Sequence, residues 1–259
     1  MKNTRPHQPA YGWIRDNPDH RDFLFSERIS PRKKLPRSVD LRGGCSVVEN
    51  QSTLGSCTAN ALAGALEYLE IAYDGKPMDL SRLFLYYNER AMRGVESEDG
   101  GALLRDGIKT LQKQGICPEE LWPYDIRQFA VKPKAVCYKE ALKHQITSYW
   151  SIRTLDEAKA SLAEGYPFAF GFSVFTGFET ATVARTGVMN YPTSREKMLG
   201  GHAVLAVGYD DASKRFLVRN SWGEGWGQKG YFTMPYAYAF GDRTHQPLGA
   251  DFWTIRQME

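Results

Sequence analysis

From Ala59 onward the apolar residues of TANALAGALEYLEIAYDG recur three and four positions apart, with Leu62, Ala65, Leu66, Leu69 and Tyr73 on one face and Gly75 as the stop. That spacing predicts a helix whose first turn holds Cys57. Two more helical patterns follow, from about Ser81 to Met92 and from about Leu103 to Gln114, the second ended by Gly115. Beyond residue 144 the period changes. PFAFGFSVF, HAVLAVGYD, RFLVRN, GYFTMPY and DFWTIRQ read as strands, with one helix near Leu155 to Glu164. HAVLAVGYDD ends in a turn signal and the next strand ends at Asn220, which predicts a hairpin holding His202 and Asn220 side by side. The pattern is α+β: a helical lobe faces a β lobe, and a cleft between lobes is a favoured position for a ligand.

The two lobes divide a set of residues suited to thiol chemistry. A helix start offers free N–H groups and the positive end of the dipole, which favour a thiolate at Cys57. Ser56 stands where a cap belongs, and Gly55 leaves room for a substrate chain. Upstream, the Gln51 amide can donate to a developing oxyanion, with the Cys57 N–H as second donor. An Asn220 oxygen accepting from one imidazole nitrogen of His202 would fix its tautomer and leave the other nitrogen for the thiol. Trp222 can cover that bond. Each residue also has a plainer reading, as a buried structural cysteine, a loop glutamine or a core histidine, and the combination carries the argument.

The words NQSTLGSC, GGHAVLAVGYD and NSWGEGWGQKGYF resemble the three signature regions of the papain family of cysteine peptidases, in the family order Gln, Cys, His, Asn. EDGGALLRDGIKTLQKQGICPEELWPY is similar to its Gly-Gly substrate-binding segment, helix and Tyr-Pro region. The resemblance covers about residues 36 to 257. It implies a two-lobe papain-like fold, with a helical lobe over about residues 45–140 and an antiparallel, β-barrel-like lobe over about 141–257. It implies Cys57 as nucleophile, His202 as general base and acid, Asn220 as its orienter, Gln51 as oxyanion donor and Trp222 as the shield. Gly101 matches the glycine that pairs with substrate backbone. Ala102, Leu103 and Ala203 would line the pocket for the side chain second from the scissile bond, and being apolar they suggest hydrophobic or aromatic side chains there. The expected activity is endopeptidase hydrolysis through a thioester, with no metal or organic cofactor. Acyl transfer to an amine by the same chemistry, and a catalytically silent binding relative, are the alternatives. The departures are Thr58 where the family usually has an aromatic, Leu54 where it has a cysteine, and Gly201 before the histidine.

The resemblance implies a peptide or protein substrate as partner, and composition is consistent with that. A net charge of +3 over 259 residues, 42% of them hydrophobic, fits one domain of two lobes or two small domains and gives no footprint for nucleic acid. The basic run PRKKLPR near residues 31–37 reads as an exposed linker. No apolar stretch approaches the roughly 20 residues of a membrane span, and the N-terminus lacks the core of a signal peptide, so export by that route is not expected. Without CxxC or HxxxH a structural zinc site is not expected. The resemblance makes Cys137 a bridged position with Cys117 as nearest candidate, while the alternative leaves Cys45, Cys117 and Cys137 reduced. Residues 1–35 precede the family-like segment and carry Trp13, Phe23 and Phe25 among charges. They are either an inhibitory arm in the cleft, an intramolecular partner, or an arm packed on the back of a lobe. The oligomeric state is not legible.

Overall fold

The computed structural model describes residues 11–27 and 34–258. The chain begins with β1 (Trp13–Ile14) and β2 (Ser38–Asp40), and its first half is then built by α1 (Cys57–Asp74), α2 (Arg82–Ala91), the two-residue β3 (Ala102–Leu103), α3 (Leu104–Lys113) and α4 (Ala135–Ala141). The second half holds β4 (Ile146–Ile152), α5 (Leu155–Ala163), β5 (Phe168–Phe175), α6 (Ala181–Thr186), β6 (Met198–Asp210), β7 (Arg215–Arg219), β8 (Tyr231–Pro235), α7 (Tyr236–Phe240) and β9 (Gly249–Met258). The expected helices and strands are all present. The helices α4, α6 and α7, the strand β4 and the short β1 and β3 lie outside the elements read from the sequence.

The sheet runs β4-β9-β5-β6-β7-β8, antiparallel throughout, with β2 added to β6. Alternation along its strands sorts two cores. Ala169, Ala203, Leu205 and Val207 turn toward α1, whereas Phe168, Phe170, Phe172, Val204 and Ala206 turn to an aromatic core on the other face. Small residues on the first face let the helix lie close to the sheet. Helix α1 is consequently buried all round as far as Glu70, where the sequence predicted a single apolar face. Its inward carboxylate Glu67 is satisfied by Leu80 N at 2.9 Å, Ser46 Oγ at 2.5 Å and Arg82 Nη1 at 3.3 Å. Gly75 ends α1 at φ 67°, its N–H returning to Ile71 O.

The N-terminal arm meets the rest of the protein in two places. Tyr11 to Ile14 enter the cleft, where β1 pairs parallel with β3. Further on, Ser151 N donates to Phe23 O at 2.7 Å, Leu24 bridges to Ser151, and Phe25 is buried in the aromatic core behind the sheet. The basic run 31–37 is described only from Lys34, so the linker reading lies largely outside the described residues.

Candidate active site

Cys57 is the first residue of α1, so its position follows from where the helix starts. Ser56 is the N-cap residue, but its hydroxyl does not cap: it bonds Tyr124 Oη at 2.5 Å and accepts from Asn60 Nδ2 at 3.2 Å. A buried tyrosine hydroxyl competes better for that oxygen than the helix N–H groups. The loop before the helix is held by Asp99, which accepts from Gly55 N at 3.0 Å and from Tyr86 Oη at 2.6 Å. Tyr86 Oη in turn accepts from Gly101 N at 3.2 Å. Tyr86 thus ties the nucleophile loop to the Gly101 segment.

His202 lies where β6 passes from pairing with β5 alone to pairing with β7 as well. Its Nε2 bonds Asn220 Oδ1 at 2.8 Å, and the same oxygen accepts from Ser221 N at 2.9 Å. This hydrogen-bond network assigns the proton to Nε2. Nδ1 is buried and has no hydrogen-bond partner among the described residues. Trp222 stacks on the imidazole, with ring centroids 5.1 Å apart and planes 29° apart, and Phe172 meets it edge-on at 5.8 Å. The hairpin therefore delivers the side-by-side pair and the tryptophan cover that the sequence predicted.

Gln51 is buried between the halves. Its Nε2 donates to Leu54 O at 2.9 Å and its Oε1 accepts from Ser221 Oγ at 2.5 Å. Gln51 N donates to Ser221 O at 2.8 Å, and Gly223 N to Glu49 O at 2.9 Å, so the segment before the nucleophile is sewn to the segment after Asn220. This explains how residues far apart in sequence keep one geometry.

The arm occupies the space in front of these groups. Ala102 N donates to Gly12 O at 2.8 Å. Gly101 takes φ 80°, and a Cβ on it would lie 2.1 Å from that same oxygen, which accounts for a glycine at this point. The Tyr11 ring stands 6.1 Å from His202 and 6.4 Å from Trp222. Main-chain groups of Ala203, Gly12 and Thr58 contact the thiol. With the arm in place, burial pushes the Cys57 thiol up to about 11, those main-chain groups opposing. Burial likewise pulls His202 down to about 4, with the Asn220 bond opposing. The helix start favours a thiolate, and in this closed arrangement the loss of water acts against the charged form of both groups.

All four cysteines are free, and Cys117 and Cys137 lie within hydrogen-bonding reach of each other. Among the described residues no group of three or more His, Cys, Asp or Glu could hold a metal ion, and no helix is long and apolar enough to cross a membrane. One polar pair had no sequence signal. Thr58 Oγ1 donates to the fully buried Glu89 Oε2 at 2.8 Å, so a polar pair stands where the family's usual aromatic would.

The family model for the papain family cysteine proteases matches residues 35–243. The chain belongs to this family. A papain-family protein of Acanthamoeba polyphaga mimivirus, described as an uncharacterized peptidase C1-like protein, is 39% identical and covers 96% of this chain and 87% of its own. The crystal structure of xylellain, a cysteine protease from Xylella fastidiosa, superposes with a TM-score of 0.85 at 41% identity over 98% of both chains. Procathepsin B S9 from Trypanosoma congolense, at 18% identity, shares the fold with a TM-score of 0.75 over 96% of this chain and 86% of its own. The chain is thus a papain-family cysteine peptidase, a hydrolase with the α+β two-lobe fold.

Proposed function

We propose that the protein is a cysteine endopeptidase acting through a thioester on Cys57, and that residues 11–16 hold it latent. The observation that carries the reading is the buried imidazole of His202, bonded through Nε2 to Asn220 Oδ1 at 2.8 Å and keeping Nδ1 unpaired. That nitrogen takes the thiol proton, and the thiolate adds to the substrate carbonyl. The Cys57 N–H and the Gln51 amide stabilise the oxyanion. His202 then protonates the leaving amine, and water, activated by the same nitrogen, hydrolyses the thioester. Trp222 keeps bulk water off the His202–Asn220 bond.

Latency rests on the closeness of the arm. Gly12 passes so near the nucleophile loop that a Cβ on it would lie 1.7 Å from Gly55 O. Withdrawal of the arm readmits water, lowers the thiol and raises the imidazole, and so restores the ion pair that attack requires.

A thiol-directed epoxide is expected to add once to the protein, at Cys57, with loss of peptide hydrolysis. Cys57→Ala is expected to abolish both, and His202→Ala nearly so. Asn220→Ala is expected to retain measurable activity, with a loss on the order of 10²- to 10⁴-fold. Hydrolysis surviving in Cys57→Ala, or full labelling at another cysteine, would falsify the assignment.

A further inference from the structure

Two buried amides behind the active site each have one atom to spare. Asn60 lies on α1 one turn after the nucleophile, where its Nδ2 donates to Ser56 O at 2.9 Å and to Ser56 Oγ at 3.2 Å. Its Oδ1 is buried with no hydrogen-bond partner among the described residues, and the same holds for Nδ2 of Asn220, the residue that orients His202. Asn60 is 7% exposed and Asn220 3%. A buried acceptor and a buried donor left unpaired are both costly, so each calls for a partner.

Both side chains line one cavity of about 10 Å³ between α1 and the β6–β7 hairpin. That volume is at the lower bound for a single water molecule. Gly64 of α1 stands on the same wall. Glycine inside a helix is destabilising relative to alanine, yet a Cβ here would meet Arg219 Nε at 3.4 Å and Leu205 Cδ2 at 3.7 Å, which are ordinary contacts. Close packing does not require the glycine, and what a methyl would take is the cavity. The charged groups on this wall are already engaged: Arg219 with Ser46 O, Arg82 with Asp79 and Glu67, and Glu67 with Leu80 N. The two amide atoms are complementary, since a water can accept from Asn220 Nδ2 and donate to Asn60 Oδ1.

We propose that this cavity binds one structural water that ties Asn60 to Asn220, and that Asn60 is thereby a positioning residue for the catalytic pair. This rests on the peptidase reading above. The bridge helps decide which way the Asn220 amide faces. In the observed orientation Oδ1 meets His202 Nε2 at 2.8 Å and Ser221 N at 2.9 Å. Turned by half a revolution, the amide would set Nδ2 against the imidazole N–H, donor against donor, and the tautomer that leaves Nδ1 for the thiol would lose its support. An acceptor held on the Nδ2 side adds to Ser221 N in opposing that turn. Because Asn60 belongs to the helix that begins with Cys57, the same water links the orienter of the base to the element that carries the nucleophile.

The test uses full-length protein, one peptide and the variant Asn220→Ala as a second background. Asn60→Leu loses the Ser56 contacts in both backgrounds and the water bridge only in the first, so the two losses separate in a double-mutant cycle. Its loss in kcat/KM is expected to be about two- to ten-fold larger in the native background than in Asn220→Ala, the range of one hydrogen bond. Gly64→Ala takes the cavity with a methyl and replaces no hydrogen-bonding side chain. It is expected to show the same non-additivity with an undiminished melting temperature, which keeps the cycle available should Asn60→Leu fail to fold. A high-resolution crystal structure of the native protein is expected to show one water within hydrogen-bonding distance of both Asn60 Oδ1 and Asn220 Nδ2. Additive losses in the cycles, or a crystal structure without that water, would overturn the proposal. A protein that cuts no peptide overturns the peptidase reading instead, and the crystal structure then decides the water site on its own.

Discussion

Around His202 the neighbours are rings, whereas around Cys57 they are hydrogen-bonded polar groups. Phe172 and Trp222 enclose the imidazole, and behind them Phe178, Trp226 and Phe232 pack at centroid distances of 5.1 to 6.2 Å. The nucleophile instead rests on Thr58–Glu89, on Asp99 with Tyr86 and Gly55, and on the Ser56–Tyr124 pair. Apolar packing is non-directional and tolerates small shifts. Buried hydrogen bonds fix distances but become costly when one partner is lost. The half that must hold a base upright uses shape, and the half that must hold a loop and a helix start in register uses directed bonds.

If this contrast is physical, the two halves should respond differently to substitution. The largest effect is expected in the aromatic half. Phe232→Ala removes a ring shared by Phe172, Phe178 and Trp226 and should cost roughly 3–5 kcal/mol in denaturant unfolding. Phe232→Leu should cost much less, because approximate volume suffices there.

The polar half should be sensitive to chemistry more than volume. Burial, with Asp106 adding to it, raises the Glu89 carboxyl to about 8. Glu89 is therefore protonated at neutral pH, and Glu89→Gln should be within about 1 kcal/mol of the native protein, whereas Glu89→Ala strands the Thr58 hydroxyl and should cost about 1–3 kcal/mol. Because the folded-state value is raised, the stabilisation is complete below the ordinary value of 4.5 and is lost as pH rises through about 8. Unfolding midpoints between pH 5 and pH 9 should show that decline in the native protein and a flatter curve in Glu89→Gln.

A smaller effect of the same kind is expected in the arm, where a polar group of Asp16 meets both halves. Asp16 accepts from Trp253 Nε1 at 3.1 Å and from Arg105 N at 3.3 Å. Burial first, and then Asp251, raise its carboxyl to about 7, opposed by these bonds and by the Arg105 charge. The docked arm thus keeps its proton to a higher pH than a free arm does, so this contribution to docking is full below the usual aspartate range and is lost as pH rises to about 7. Hydrogen exchange at residues 11–16, followed from pH 5 to pH 8, should quicken more in the native protein than in Asp16→Asn after correction for intrinsic rates.

The contrast also explains what could be read from the sequence. The strands around His202 alternate large and small residues, and the hairpin turn sets their register, so the His202–Asn220 pair and its tryptophan were legible from local pattern. Helix α1 was legible by period, although its burial all round depends on Ala203 and Leu205 being across from it. Thr58–Glu89 and Asp99–Tyr86 join residues on separate elements with no spacing rule between them, and nothing in either local sequence announces the partner. The Ser56 cap failed for that reason, since its competitor Tyr124 is distant in the chain. The arm was legible as aromatic and short, but its parallel pairing of two residues on β3 requires the cleft to exist first.

Deleting the arm is a blunt test of latency, because Phe25 belongs to the aromatic core and its loss would destabilise the enzyme. A single substitution is sharper. Gly12→Val places a side chain on Gly55 O and cannot be accommodated in the closed cleft, while residues 23–25 stay packed. The decisive quantity is the second-order rate of Cys57 alkylation by a small thiol reagent at neutral pH, in the native protein and in Gly12→Val. Docking that holds the thiol buried and neutral predicts an increase of roughly ten-fold for every 1.4 kcal/mol of docking lost. Equal rates in the two proteins, with both folded, would contradict a cleft closed by its own arm.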